Sequence, residues 1–146
     1  MARLPAGVVV VTAKSGDAPR GMTASSLVSV SLDPPLVAVA LEHESATRNA
    51  VVESGQFNVS VLTRSQEFLA DRFAGRAPAV DWRTVGHRLG TNGVPLLEQC
   101  AAWLECRVIH VNEAGDHDVC IGQVLVAEPG SGDPLILWDR AFWTLH

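Results

Sequence analysis

Short β-forming runs broken at close intervals set the rhythm of this chain, and that rhythm limits the fold more than any other feature. "GVVVVTA" (7–13) is continuous and β-branched, the pattern of a strand covered on both faces. A turn follows in "KSGDAPRG", where Gly16, Asp17 and Pro19 supply the breakers. After a hydroxyl-rich stretch (23–31) and the Pro34 and Pro35 pair comes "LVAVAL" (36–41). "FNVSVL" (57–62) then alternates Phe57, Val59 and Val61 with Asn58, Ser60 and Leu62. "AWLECRVIHV" (102–111) and "DVCIGQVLVA" (118–127) flank "NEAGDH", a hairpin-type connection, and "PLILW" (134–138) completes the set. Two helices are expected. Ser45 or Thr47 caps one that stops at Gly55, and Ser65 caps another carrying Phe68, Leu69 and Phe73. Many short strands with so little helix predict an all-β-dominated antiparallel barrel or sandwich. The βαβα alternation of doubly wound folds is missing, as are G-x-G-x-x-G and a P-loop.

At 146 residues the chain reads as one domain, spanning 1–146, able to bury a core without staples. The net charge of −5, with Lys14 the only lysine and no basic cluster, argues against a nucleic-acid partner. Cys100, Cys106 and Cys120 have no C-x-x-C spacing and fit buried hydrophobes in a reducing compartment. No secretory leader pattern and no apolar run of membrane-spanning length is present, so a cytoplasmic protein without a membrane partner is expected.

The densest chemistry lies in "GMTASSLVSVSLDPPLV" (21–37). Read as one strand over 23–31, its alternation puts Thr23, Ser25, Leu27, Ser29 and Ser31 on one face. Met22, Ala24, Ser26, Val28, Val30 and Leu32 take the other. Such a row is either a half-exposed strand facing water or a low surface for a flat polar ligand. "SATRN" (45–49) is either plain helix capping or an anion site made of backbone amides, the helix dipole and Arg48. "GDHD" (115–118) matches no zinc or calcium loop, so no metal is expected; His117 remains a candidate hydrogen-bond donor or proton relay. Trp82, Trp103, Trp138 and Trp143 read as core or interface anchors.

Taken in order, "RLPAGVVVVTA", "GMTASSLVSVSLDPPLV", "SATRNAVVESGQFNVSVL", "LADRFAG", "GDHDVCIGQV" and "PLILWDRAF" closely resemble the flavin reductase family, the FMN-binding split-barrel proteins that serve two-component flavin monooxygenases. The likeness runs from about Arg3 to Phe142. It implies a six-stranded antiparallel Greek-key split barrel, a homodimer, and FMN (FAD possible) held near the subunit interface. It also implies NADH or NADPH as co-substrate and a monooxygenase partner. By the same resemblance Thr23, Ala24, Ser25, Ser26 and Leu27 meet the flavin ring and ribityl chain, with Ser31 and Leu32 close by. Ala46, Thr47 and Arg48 hold the phosphate, and Phe73 borders the groove. His117, in a catalytic role, faces the nicotinamide together with Arg140 and Phe142. The implied activity is NAD(P)H-dependent flavin reduction; the alternative is a non-catalytic FMN-binding electron carrier or sensor of the same fold.

Overall fold

Val8, Val9, Val10 and Val11 are all buried, yet they do not share a core. Val9, Val11 and Ala13 enter one apolar cluster, around Phe57 and Val39. Val8 and Val10 enter a second, around Leu62, Leu69 and Phe73. An extended backbone alternates its side chains, so a run of valines can serve two cores at once.

The computed structural model describes residues 1–75 and 80–145. In chain order the strands up to the first helix are β1 (Ala6–Gly7), β2 (Val9–Ser15), β3 (Ala18–Ala24), β4 (Val28–Leu32) and β5 (Pro35–Glu42). Helix α1 (Ala46–Ser54), strand β6 (Gln56–Val61) and helix α2 (Glu67–Phe73) follow. Then come β7 (His87–Leu89), β8 (Pro95–Leu97), β9 (Ala102–Ala114), β10 (His117–Pro129), β11 (Leu135–Trp138) and β12 (Ala141–Thr144). The main sheet runs β3-β2-β6-β9-β10-β5-β4, every neighbour antiparallel. Smaller sheets join β1-β11-β12 and β7-β8. The expected antiparallel, split-barrel-like arrangement is present, but the main sheet has seven strands where six were expected, because β4 folds back on β5 as a further edge strand, and the sheet does not close.

One expectation fails. The hydroxyl-rich stretch is not a single strand: it breaks at residues 25–27, and β3 and β4 lie at opposite edges of the sheet. Ser26 explains the break. Its hydroxyl accepts from Ala40 N at 3.0 Å and donates to Ala40 O at 3.1 Å, so a side chain satisfies β5 where no ladder does. The barrel is split at this seam, β3 and β5 meeting through a corner rather than a shared ladder.

Helix α1 begins and ends as its sequence predicts. Ser45 Oγ accepts from Thr47 N and Arg48 N, and Gly55 closes the helix in the left-handed region at φ 72°. The second helix is capped differently: a 3-10 turn over Arg64–Gln66 precedes α2, and Thr63 N donates to Gln66 Oε1 at 2.9 Å. Thr63 and Gln66 thus do the work assigned to Ser65.

The polar residues of β6 are buried, not solvated. Asn58 Nδ2 donates to Val94 O at 3.0 Å, and Ser60 Oγ accepts from Leu97 N at 3.0 Å. Thr12 Oγ1 donates to Pro95 O at 2.6 Å. Three buried side chains therefore bolt the β7-β8 hairpin onto the sheet. Among the described residues no helix is long and apolar enough to cross a membrane.

Gly122 lies at an irregularity in β10, where an added Cβ would stand 2.5 Å from Phe57 Cζ and 3.1 Å from Cys106 Cβ. Phe57 is fully buried and has nowhere to swing. Gly122→Ala is expected to destabilise the fold by about 1–3 kcal/mol, read as a lower urea midpoint at unchanged slope.

Candidate functional site

A cleft of about 630 Å³ opens along β3. Because β3 is an edge strand, half of its backbone N–H and C=O groups point away from β2 and carry no ladder bonds. Residues 20–25 line the cleft along this edge. Opposite them stand Phe73 and the Trp82 indole, 5.3 Å apart between ring centres and tilted by 59°. Gly21 allows this approach, since a Cβ there would come within 2.8 Å of the Phe73 ring and 3.3 Å of Trp82. Thr23 Oγ1 donates to Ala70 O at 2.6 Å, fixing α2 to β3. Leu137 and Phe142 add a further apolar wall. The start of α1 supplies the other side, where Ser45 Oγ lies 3.3 Å from Met22 Sδ.

A smaller recess of about 180 Å³ continues from Met22–Ser25 towards Ser26, Glu42 and His117. His117 opens β10 directly opposite Glu42, and its Nδ1 is 2.6 Å from Asp116 Oδ1. That hydrogen bond holds the Asp116 carboxyl below its ordinary value.

Behind the cleft a buried carboxylate braces α1. Asp118 Oδ2 accepts from Arg48 Nε at 2.5 Å, and Oδ1 lies 2.8 Å from His43 Nε2. Burial would raise the Asp118 pKa, but the hydrogen bonds from Arg48 and His43 outweigh it and hold the group below the ordinary value. Arg48 also donates to Asn49 Oδ1 at 3.0 Å. Two of the three guanidinium nitrogens are thus engaged, and Arg48 is not among the residues that line the cleft.

Of the residues singled out from sequence, Thr23, Ala24, Ser25, Ala46, Thr47, Phe73 and Phe142 come together in the cleft. Ser26 and His117 line the recess beside it. Leu27 packs against the first core instead. Ser31 and Leu32 sit on β4, and Arg140 occupies the tight β11-β12 turn at φ 63°; none of these three lines either space. Residues that sequence reasoning did not assign to the site include Arg20, Arg72 and Trp82. Trp82 packs against the second apolar cluster as an anchor does, and it is also cleft wall. Arg20 stands just before the quoted motif, a position that spacing alone gave no reason to include.

The three cysteines are buried and free, and burial pushes their thiols up to about 11 for Cys100 and Cys120 and about 12 for Cys106. None is a reactive nucleophile at neutral pH. Among the described residues no group of His, Cys, Asp and Glu is arranged to hold a metal.

The chain matches the sequence profile of the flavin reductase like domain over residues 1–146. A probable flavin reductase of Rhizobium meliloti is 42% identical over 127 residues, covering 84% of this chain and 39% of that protein. The chain therefore spans well under half of that relative. An NADH-dependent FMN reductase of Agrobacterium fabrum, SmoA, is 40% identical over 139 residues, covering 93% of this chain and 77% of that one. Among solved structures, the flavin reductase component BorF of a bacterial two-component tryptophan halogenase superposes with a TM-score of 0.91 at 36% identity. It covers 99% of this chain and 92% of its own.

The depressed Asp118 pKa fixes the sign of a pH effect. Its ionised form stabilises the fold fully above the ordinary value near 3.8, and the contribution is lost as pH falls through the lower folded value. The stability gap between the native chain and Asp118→Asn should be widest at neutral pH and shrink below about pH 4, as urea midpoints measured across pH will read.

Proposed function

The chain belongs to the flavin reductase like domain family, and from that membership we propose that it reduces a flavin with NADH or NADPH and supplies the product to a partner monooxygenase. The observation that carries this reading is the cleft of about 630 Å³ along the free edge of β3. Its size is ordinary for a cofactor site, and its make-up, one polar backbone edge facing aromatic and apolar walls, fits a planar heteroaromatic ring. Bare Gly21 keeps the slot narrow: a side chain there would force Phe73 and Trp82 away.

Bound in the cleft, a flavin supplies the hydride-accepting ring and the nicotinamide supplies the hydride. The protein's part is closeness, orientation and exclusion of water. The outward N–H and C=O groups of β3, with the Ser25 hydroxyl, hydrogen-bond the polar edge of the ring. The positive end of α1, with Ala46 and Thr47, faces the phosphate. Arg48 acts indirectly, keeping that helix end in place through Asp118. Phe73 and Phe142 cover the ring and keep solvent out. His117, in the adjoining recess, hydrogen-bonds the nicotinamide amide, with Asp116 orienting its imidazole. FMN is the favoured flavin, and FAD fits the same chemistry.

The 146 residues work as one domain in the cytoplasm, without membrane or nucleic-acid attachment. Two copies associate, and the exposed Val28, Val30 and Leu32 on β4, with Ile109 and Val111 on β9, give them apolar surface to cover.

The decisive test is the absorbance of the purified protein with FMN, followed by anaerobic titration with NADH and NADPH. Loss of the oxidised flavin band with either nicotinamide is expected. Tight FMN binding without bleaching by either would make the protein an electron carrier instead, and no binding of any flavin would overturn the reading. Ser25→Leu is expected to raise the FMN Kd by about tenfold or more while leaving the melting temperature nearly unchanged. His117→Ala should lower kcat/KM for the nicotinamide by about tenfold, with FMN affinity within about twofold of native.

A further inference from the structure

Two guanidinium groups stand at one end of the cleft without a carboxylate partner, and we propose that together they bind the diphosphate of a dinucleotide. The inference rests on the flavin reductase reading and extends it beyond the first phosphate of the ligand.

Five arginines are spent in ion pairs, while Lys14, Arg107 and Arg140 show none among the described residues but line neither the cleft nor the recess. Arg3, Arg48, Arg64, Arg83 and Arg88 each lie against an Asp or Glu. Arg20 and Arg72 do not, among the described residues, and both line the cleft. Arg20 donates only to the carbonyl of its neighbour Pro19, at 3.4 Å. Arg72 reaches the Thr84 hydroxyl at 3.4 and 3.5 Å, the outer limit of a hydrogen bond. Asp81, whose carboxyl feels the Arg72 charge through space, is itself gripped by Arg83 through two side-chain bonds of 3.1 and 3.0 Å.

The two arginines come from different elements, Arg20 from β3 and Arg72 from α2. Thr23 is tied to Ala70, and a Cβ at Gly21 would meet the Phe73 ring, so α2 runs along β3 with Arg20 and Arg72 towards the same end of the cleft that both line. That end lies beyond the helix end proposed for the first phosphate. Met22 touches Ser45 at the start of α1, and Arg20 is two residues further along the same face of β3, roughly 6–7 Å away. The cleft's own carboxylate, Glu42, belongs to the opposite end, beside Ser25, Ser26 and His117. Charge along the slot is thus graded from acidic to basic. A monophosphate at α1 needs neither arginine. A diphosphate running on from it meets both, and planar guanidinium forks bind phosphate oxygens in pairs.

Such a diphosphate belongs either to FAD or to the nicotinamide dinucleotide, and one set of variants separates them. Arg20→Gln, Arg72→Gln and their combination are compared with Arg88→Gln, which makes the same charge change outside the cleft; thermal melting checks that each folds. Tryptophan-quenching titrations give Kd for riboflavin, FMN and FAD, and KM is measured for NADH and for reduced nicotinamide mononucleotide. If the pair holds FAD, the double variant raises the FAD Kd by about tenfold or more while the FMN Kd shifts less than about twofold. If it holds the nicotinamide dinucleotide, the KM for NADH rises by a similar factor and that for the mononucleotide does not. FMN and FAD weakening together, or neither dinucleotide-to-mononucleotide ratio moving beyond its value in Arg88→Gln, overturns the proposal. A native protein that binds none of the three flavins overturns the flavin reductase reading itself, and the proposal with it.

Discussion

The structure depends on β2 being covered on both faces. Its alternating side chains feed two separate apolar clusters, with Val9, Val11 and Ala13 in one and Val8 and Val10 in the other. Within the sheet β2 lies between β3 and β6, and β3 takes the edge. The ligand cleft follows from that arrangement. It runs where the two clusters approach β3, so Met22 and Ala24 border it from one and Phe73, Trp82 and Phe142 from the other.

Splitting the barrel leaves a usable edge. A fully closed barrel would spend the outer N–H and C=O groups of β3 on a neighbour. Here the chain leaves β3 through residues 25–27, and one hydroxyl, that of Ser26, ties the corner to both polar groups of Ala40. A side chain holds the corner without closing the sheet, and the edge remains available for a ligand with donors and acceptors on its own rim.

Much of this was legible in the sequence. Strong β-branched runs announced the strands, and the first helix declared both its cap and its stop. The hydroxyl row misleads because its alternation with Met22, Ala24, Val28 and Val30 continues across the corner and no Gly or Pro marks it, although serine itself favours turns. The β7-β8 hairpin went unseen since its strands are three residues each and its anchors, Thr12, Asn58 and Ser60, lie far off in sequence. What the sequence does not show of Arg48 is its buried partner, since Asp118 is 70 positions away. Trp82 belongs to a segment with no periodicity, and only packing against Phe73 reveals its place.

The contact between Gly21 and Phe73 has a consequence for how this architecture diversifies. The aromatic ring rests on bare main chain, so the gap above the strand is set by where one short helix docks, not by the diameter of the barrel. A scaffold built this way can be refitted to thicker or thinner guests by nudging seven residues, leaving its load-carrying sheet untouched.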